Sequence, residues 1–151
     1  MTSPESYPPE PPRAWERPVT LVGPGGRHTG RIAWSWEGDH HRVVIDGPTG
    51  RIEADGRDFF DALAAVRRQL EPHGWYIAVQ GARRDTFPSG MLRDTGARRV
   101  YVLEPGRPWR REHMVRTFDD ADPADLGTVA EQEEFYERWL DSVFGPRDGG
   151  S

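Results

Sequence analysis

The sequence predicts an α+β domain: a mainly antiparallel sheet of five to six strands with two to three helices packed on it. Three observations carry this. Short period-two runs separated by Gly-containing turns fill the first third, one clean helical stripe follows, and a capped amphipathic segment closes the chain. Neither sequence repeats nor heptads appear, and 151 residues fit one folded body with tails.

Residues 1–18 carry six Pro and almost no aliphatic side chains, so they are expected to form a disordered Pro-rich tail. Trp15 is the one tail residue suited to folding back onto the domain, which should span residues 19–145. Val19 to Val22 gives a first short strand. After the Gly-rich GPGGRHTG, Ile32, Trp34 and Trp36 alternate with Ala33, Ser35 and Glu37 in a second. A turn at Glu37 to His40, a strand at Arg42 to Asp46, a turn at Gly47 to Gly50 and a strand at Arg51 to Ala54 complete a meander.

Asp55 or Asp58 then caps a helix whose apolar residues Phe59, Leu63, Val66 and Leu70 repeat every three to four positions. Acids at its start, Arg67 and Arg68 at its end, and Pro72 and Gly74 beyond it suit the helix dipole and its termination. Trp75 to Gln80 has no polar face and is expected to be a central strand buried on both sides. Arg99 to Glu104 reads as a further strand, and Arg110 to Phe118 as a short helix presenting Met114, Val115 and Phe118. Thr128 and Glu131 form a capping box for a last helix, with Phe135, Tyr136, Trp139 and Val143 on its apolar face. Gly145 and Pro146 end it, and residues 146–151 are a flexible tail.

Composition removes whole classes of function. With no Cys, the chain has no disulfide, thiolate metal site or Cys nucleophile, a composition that suits the cytoplasm. No apolar run approaches a membrane span, and the first thirty residues lack a signal-peptide core, so no membrane partner is expected. All 20 basic residues are Arg, the usage of a GC-rich bacterial coding sequence. The net charge of −5 divides into −2 over residues 1–80, +5 over 81–116 and −8 over 117–151. That balance argues against a general nucleic-acid binder. It leaves a local anion site, an acidic face for a basic partner, or mutual neutralisation across the fold.

The familiar catalytic patterns are incomplete. Gly23-Pro24-Gly25-Gly26 lacks the Lys of a phosphate loop and precedes a strand, so it reads as a hairpin loop. No two of the five His stand four apart on a helix, and Asp119, Asp120, Asp122 and Asp125 lack the Gly and closing Glu of a calcium loop. FPSGM around Ser89 is not a nucleophile elbow; Ser89 fits better as the N-cap of a short turn ending at Gly96. No catalytic residue, metal or cofactor is assigned, and the sequence leans away from an enzyme.

One segment stands out. Residues 81–99, GARRDTFPSGMLRDTGARR, exceed an ordinary connection, and long ordered loops are usually functional. Arg83, Arg84 and Arg93, with Asp85 and Asp94 between them and Ser89, Gly90 and Met91 at the turn, make a candidate site for an anion or a partner's carboxylate. The equally supported alternative is an internal Arg–Asp network that pins the loop. Trp109, set among Arg107, Arg110 and Arg111, is a second contact candidate because Trp and Arg are enriched at interface hot spots.

Over residues 81–118 the chain resembles small bacterial proteins akin to polymorphic-toxin immunity proteins. The matching pieces are the G-x-R-x-D turn at Gly81 to Asp85, PSGM at Pro88 to Met91, R-D-x-G at Arg93 to Gly96 and the strand holding Tyr101 and Leu103, with Thr95 in place of the pattern's Met. The resemblance implies a non-enzymatic protein-binding module. The acidic C-terminal helix, with Glu131, Glu133, Glu134, Glu137 and Asp141, would then face a basic toxin domain, which requires Glu131, Glu134 and Asp141 to be exposed. The rival expectation is a small enzyme or sensor that clamps an anionic small molecule at residues 83–94.

Overall fold

The computed structural model describes residues 13–145. Its first four strands form an antiparallel meander: β1 (Arg13–Gly23), β2 (Gly26–Glu37), β3 (His40–Gly47) and β4 (Gly50–Gly56). Gly38 closes the β2–β3 turn in the left-handed region, at φ 60°, which a side chain would resist.

The strand β1 starts earlier than the sequence suggests. Arg13 to Pro18, expected in the tail, pair with Arg31 to Trp36 of β2. Trp15 supplies the reason: it lies directly across from Trp34, and the two rings stack with centroids 6.3 Å apart, so aromatic contact replaces the missing aliphatic burial. The rest of the expected N-terminal tail, 1–12, and the tail 146–151 lie outside the described residues.

The helix α1 (Phe59–Leu70) is capped by Asp58, whose carboxylate accepts the Asp61 amide at 2.8 Å. Its Phe59, Leu63, Val66 and Leu70 are buried against Val19, Leu21, Ile32, Val43 and Ile45 of the sheet, and this interface is the main core. The chain enters the helix through Gly56, where a Cβ would lie 2.4 Å from the Ala62 nitrogen. Only a residue without a side chain permits so close a turn.

The segment expected as a central strand is a two-residue edge strand, β5 (Tyr76–Ile77), which pairs with β1 and gives the order β4-β3-β2-β1-β5. Ile77, Ala78 and Val79 are buried nonetheless. Beyond Ile77 the backbone is covered by residues 117–121: the Gln80 and Gly81 amides donate to the carbonyls of Asp119 and Thr117, each at 2.8 Å. Apolar content thus recorded the burial, while the covering came from a loop rather than a neighbouring strand.

A second antiparallel sheet holds β6 (Thr86–Phe87), β7 (Arg99–Val102) and β8 (Met114–Arg116) in the order β6-β7-β8. The helix expected over Arg110 to Phe118 is instead a single 3-10 turn at Arg111–His113 followed by β8. Val115 lies opposite Val100, and the Thr117 hydroxyl donates to the Ala97 carbonyl at 2.7 Å, so the backbone is held in an extended ladder. Between β6 and β7 lies α2 (Gly90–Asp94). The last helix, α3 (Val129–Phe144), shows the full capping box: Glu131 N–H donates to Thr128 Oγ1 at 3.0 Å and Thr128 N–H to Glu131 Oε1 at 2.8 Å. The fold is α+β, with eight strands in two antiparallel sheets and three α-helices among the described residues.

Candidate functional site

Within the Arg-rich connection Arg83 and Arg93 are turned toward carboxylates of the same chain, while Arg84, Arg98 and Arg99 are exposed. Arg83 donates through Nε and Nη2 to both Asp85 carboxylate oxygens, at 2.9 and 3.0 Å, and through Nη1 to Gln80 Oε1 at 3.1 Å. Burial lowers the Arg83 pKa, but hydrogen bonding to Asp85 outweighs it and holds the group above its ordinary value. Arg93 donates to Asp58 Oδ2 at 2.9 Å and Asp61 Oδ1 at 3.2 Å, with its guanidinium over the rings of Phe60 and Phe87. The loop is therefore tied to the N-terminus of α1. Burial favours the protonated form of Asp61, yet hydrogen bonds and charge from Arg57 and Arg93 prevail and hold its carboxyl below the usual carboxylate range.

The remaining residues of this segment divide between capping and exposure. The Ser89 hydroxyl accepts the Leu92 amide at 3.2 Å and caps α2. Gly90 is exposed with open space where a Cβ would sit, Met91 is 81% exposed, and Asp94 is exposed at the end of α2. Pro88, at the middle of the connection, is buried. Arg84 is exposed and makes no ion pair among the described residues, although its backbone N–H is fixed to the Asp125 carbonyl at 2.9 Å. Trp109 is half-buried, with its ring centroid 4.4 Å from Trp139 and 4.9 Å from Tyr101, and it joins the segment after β7 to α3.

Beneath the loop lies a buried lock with no short-range sequence signal. Arg67, on the buried face of α1, donates to Gln132 Oε1 at 2.6 Å and to the Gly127 carbonyl at 2.8 Å, with Glu71 Oε2 3.6 Å from its Nε. The Gln132 amide nitrogen in turn lies within 3.0 Å of the carbonyls of Gly81, Arg83 and Thr86. Burial pushes the Arg67 pKa down to about 10, against the favourable charge of Glu71. One Arg–Gln pair thus joins α1, α3 and the start of the Arg-rich loop.

Two open surfaces combine unpaired charge with apolar side chains among the described residues. The first surrounds α3. Glu133, Glu137 and Asp141 recur at intervals of four, Glu134 flanks them, and all four are exposed. Glu133 meets Arg68 at 3.2 Å, whereas Glu134, Glu137 and Asp141 form no ion pair among the described residues. Glu131 is exposed as well, and Phe144 is 66% exposed at the end of this face. Alongside lies a cavity of about 560 Å3 with Pro105, Phe135 and Trp139 as its apolar wall and Arg84, Glu134 and Arg138 among its charged lining. The second surface bears Arg98, Arg99 and Arg116 beside Trp15, Trp34 and Phe118.

No group of three or more His, Cys, Asp or Glu among the described residues is placed to hold a metal ion. Two of the acidic-loop carboxylates have visible structural work: Asp120 pairs with Arg17 at 3.0 Å and Asp122 accepts the Ala124 amide at 2.9 Å. No helix among the described residues is long and apolar enough to cross a membrane. No protein-family model and no curated protein sequence matches the chain.

Proposed function

We propose that this chain is a non-enzymatic protein-binding module that presents α3 to a basic protein, as an immunity-type inhibitor of a bacterial toxin domain in the cytoplasm. One observation carries the reading. The exposed carboxylates of Glu134, Glu137 and Asp141 have no ion-pair partner among the described residues, and they share their surface with exposed Phe144 and an apolar-walled cavity. An excess of charge of one sign, here acidic residues that outnumber Arg84 and Arg138, steers a partner of the other sign, while an exposed aromatic and an adjacent cavity supply apolar contact once the two meet.

The rival reading, an anion clamp at residues 83–94, has less in its favour because Arg83 and Arg93 already hold carboxylates of the same chain. A ligand would have to displace Asp85, Asp58 or Asp61, and with them the anchorage of the loop. Arg84 is left to line the α3 cavity, where it would contact the same partner.

The test is recovery of a stoichiometric partner from the source cells, followed by binding kinetics with that purified partner. The variant combines Glu134→Gln, Glu137→Gln and Asp141→Asn, all exposed positions that leave the fold intact. Association with a basic partner should slow by about tenfold at low salt and lose most of its salt dependence. A partner whose association rate is unchanged by the triple substitution, or a chain that stays free at native abundance, would overturn the proposal.

A further inference from the structure

We propose that the depression between the Trp15–Trp34 end of the β1–β2 pair and the β7–β8 ladder binds a phosphate monoester that carries an aromatic base, of nucleoside-monophosphate size. This site shares no residue with the α3 surface, and the inference does not depend on the protein-binding reading.

The charge arrangement is the starting point. Arg99 and Arg116 stand directly opposite one another in the antiparallel β7–β8 pair. Like charges so placed repel, and strand pairs ordinarily avoid them. Both side chains are exposed, and neither makes an ion pair among the described residues, in contrast to Arg83 and Arg93 a few residues earlier. Arg98 adds a third unpaired guanidinium. It is held 5.2 Å from the ring centroid of Trp15 and 5.6 Å from that of Trp36, contacts that fix its position without neutralising its charge. The one carboxylate on the lining, Asp119, lies 4.0 Å from Arg17 and is therefore shared with a fourth cation. Three guanidiniums lining one depression, with one carboxylate shared with Arg17, make a receptor for more than a single negative charge. A phosphate monoester, near two charges and with three acceptor oxygens, matches this better than a carboxylate.

The wall beside these charges selects the rest of the ligand. Trp15 stacks on Trp34 with 15° between planes, and Trp34 stacks on Phe118 at 4.4 Å with 19° between planes, which sets three nearly parallel rings in a row. Trp15 is 36% exposed, an aromatic surface left open next to cations. A planar heterocycle covers such a surface at little entropic cost, and stacking of this kind tolerates any base. The cavity, about 280 Å3, has room for one small molecule. A nucleic-acid chain is disfavoured because the protein carries −5 overall and its acidic α3 would repel a polyanion.

The experiment titrates the full chain with AMP, adenosine, ribose 5-phosphate, inorganic phosphate and a short single-stranded oligonucleotide, read by tryptophan fluorescence and by melting temperature. AMP should quench saturably and raise the melting temperature, with a Kd at least about tenfold below those of adenosine and ribose 5-phosphate, since only AMP engages both wall and cations. The Arg99→Gln/Arg116→Gln variant should lose the AMP response while its ligand-free melting temperature stays equal or rises, as the facing charges are gone. Should that variant melt lower than the natural chain, Arg98→Gln, whose side chain lies outside the ladder, supplies the same comparison. No saturable response to millimolar AMP, an undiminished response in the Arg variants, or tighter binding of the oligonucleotide than of AMP would each overturn the inference.

Discussion

Replacing Gln132 by Leu keeps the volume of a buried side chain while deleting every polar contact it makes, so its cost measures the lock between α1 and α3. In the natural chain Gln132 accepts from Arg67 at 2.6 Å and its amide serves the carbonyls of Gly81, Arg83 and Thr86. Each buried group left without a partner costs about 1–3 kcal/mol. Arg83 keeps a second donor in the Thr86 hydroxyl at 3.3 Å, and Arg67 keeps the Gly127 carbonyl, so the sum stays well below its ceiling. The expected loss is about 4 kcal/mol, or roughly 15 °C in Tm for a domain of this size. Urea unfolding followed by tryptophan fluorescence reads it directly. The companion Arg67→Met/Gln132→Leu double variant removes the buried charge together with its acceptor and should cost at least about 2 kcal/mol less than the two single losses added. A loss below about 1 kcal/mol for Gln132→Leu, or strict additivity in the double variant, would refute the claim that this pair is a desolvated and mutually dependent unit.

Two further outcomes follow from the same geometry. The Asp61 carboxyl is held below its unfolded pKa by Arg57 and Arg93, against the effect of its burial, so its contribution is present above the unfolded carboxylate pKa and lost as pH falls through the folded value. Urea midpoints measured from pH 6 down to about 2.5 should fall more steeply for the natural chain than for Asp61→Asn, and parallel curves would show that Asp61 is not linked to folding. His41 is buried with Nδ1 unpartnered, its ring edge-on to Phe59 at 4.8 Å and stacked on Trp36. His41→Phe keeps the ring contacts, removes the orphaned nitrogen and should raise stability by about 1 kcal/mol; a lower urea midpoint would reveal a bonding partner for that nitrogen.

The parts of the fold legible in the sequence are those whose cause is local. The α1 stripe and its cap at Asp55 or Asp58, of which the structure uses Asp58, the Thr128–Glu131 box, the Ser89 cap and the first hairpin turns all depend on residues within four positions of each other. What was not legible depends on distant partners. Tyr76 to Gln80 is apolar enough for a central strand, but its covering came from residues 117–121, and periodicity carries no information about which segment does the covering. Arg110 to Phe118 looked helical by composition and became β8 because Val100 and Arg99 were available to pair with it. The buried Arg67 was visible only as a favourable charge near a helix end; that it would meet Gln132, 65 positions away, could not be read from either neighbourhood. Within the candidate site, the loop's order and its Ser89 cap were legible, whereas the choice of carboxylate for each Arg was not.

That choice separates two kinds of charge in the chain. If the basic stretch 81–116 and the acidic stretch 117–151 existed to neutralise each other, α3 carboxylates would meet arginines of that stretch. Among the described residues the ion pair made by an α3 acid is Arg68–Glu133, and Arg68 belongs to α1. Arg83 finds Asp85 within its own loop, Arg93 finds Asp58 and Asp61 at the start of α1, and Arg107 finds Glu104 three residues away. Carboxylates outside α3 therefore satisfy the arginines that tie the loop to the fold. Arg98, Arg99 and Arg116 make no ion pair among the described residues, although Asp119 lies beside them, and neither do Glu134, Glu137 and Asp141, although Arg138 shares their helix. Exposed pairs are worth little to stability, so leaving these six groups without an ion pair among the described residues costs the fold almost nothing and keeps both surfaces charged. Neutralising either trio should then leave unfolding nearly unchanged while altering binding at its own surface alone, a separation that a purely structural role for these charges does not produce.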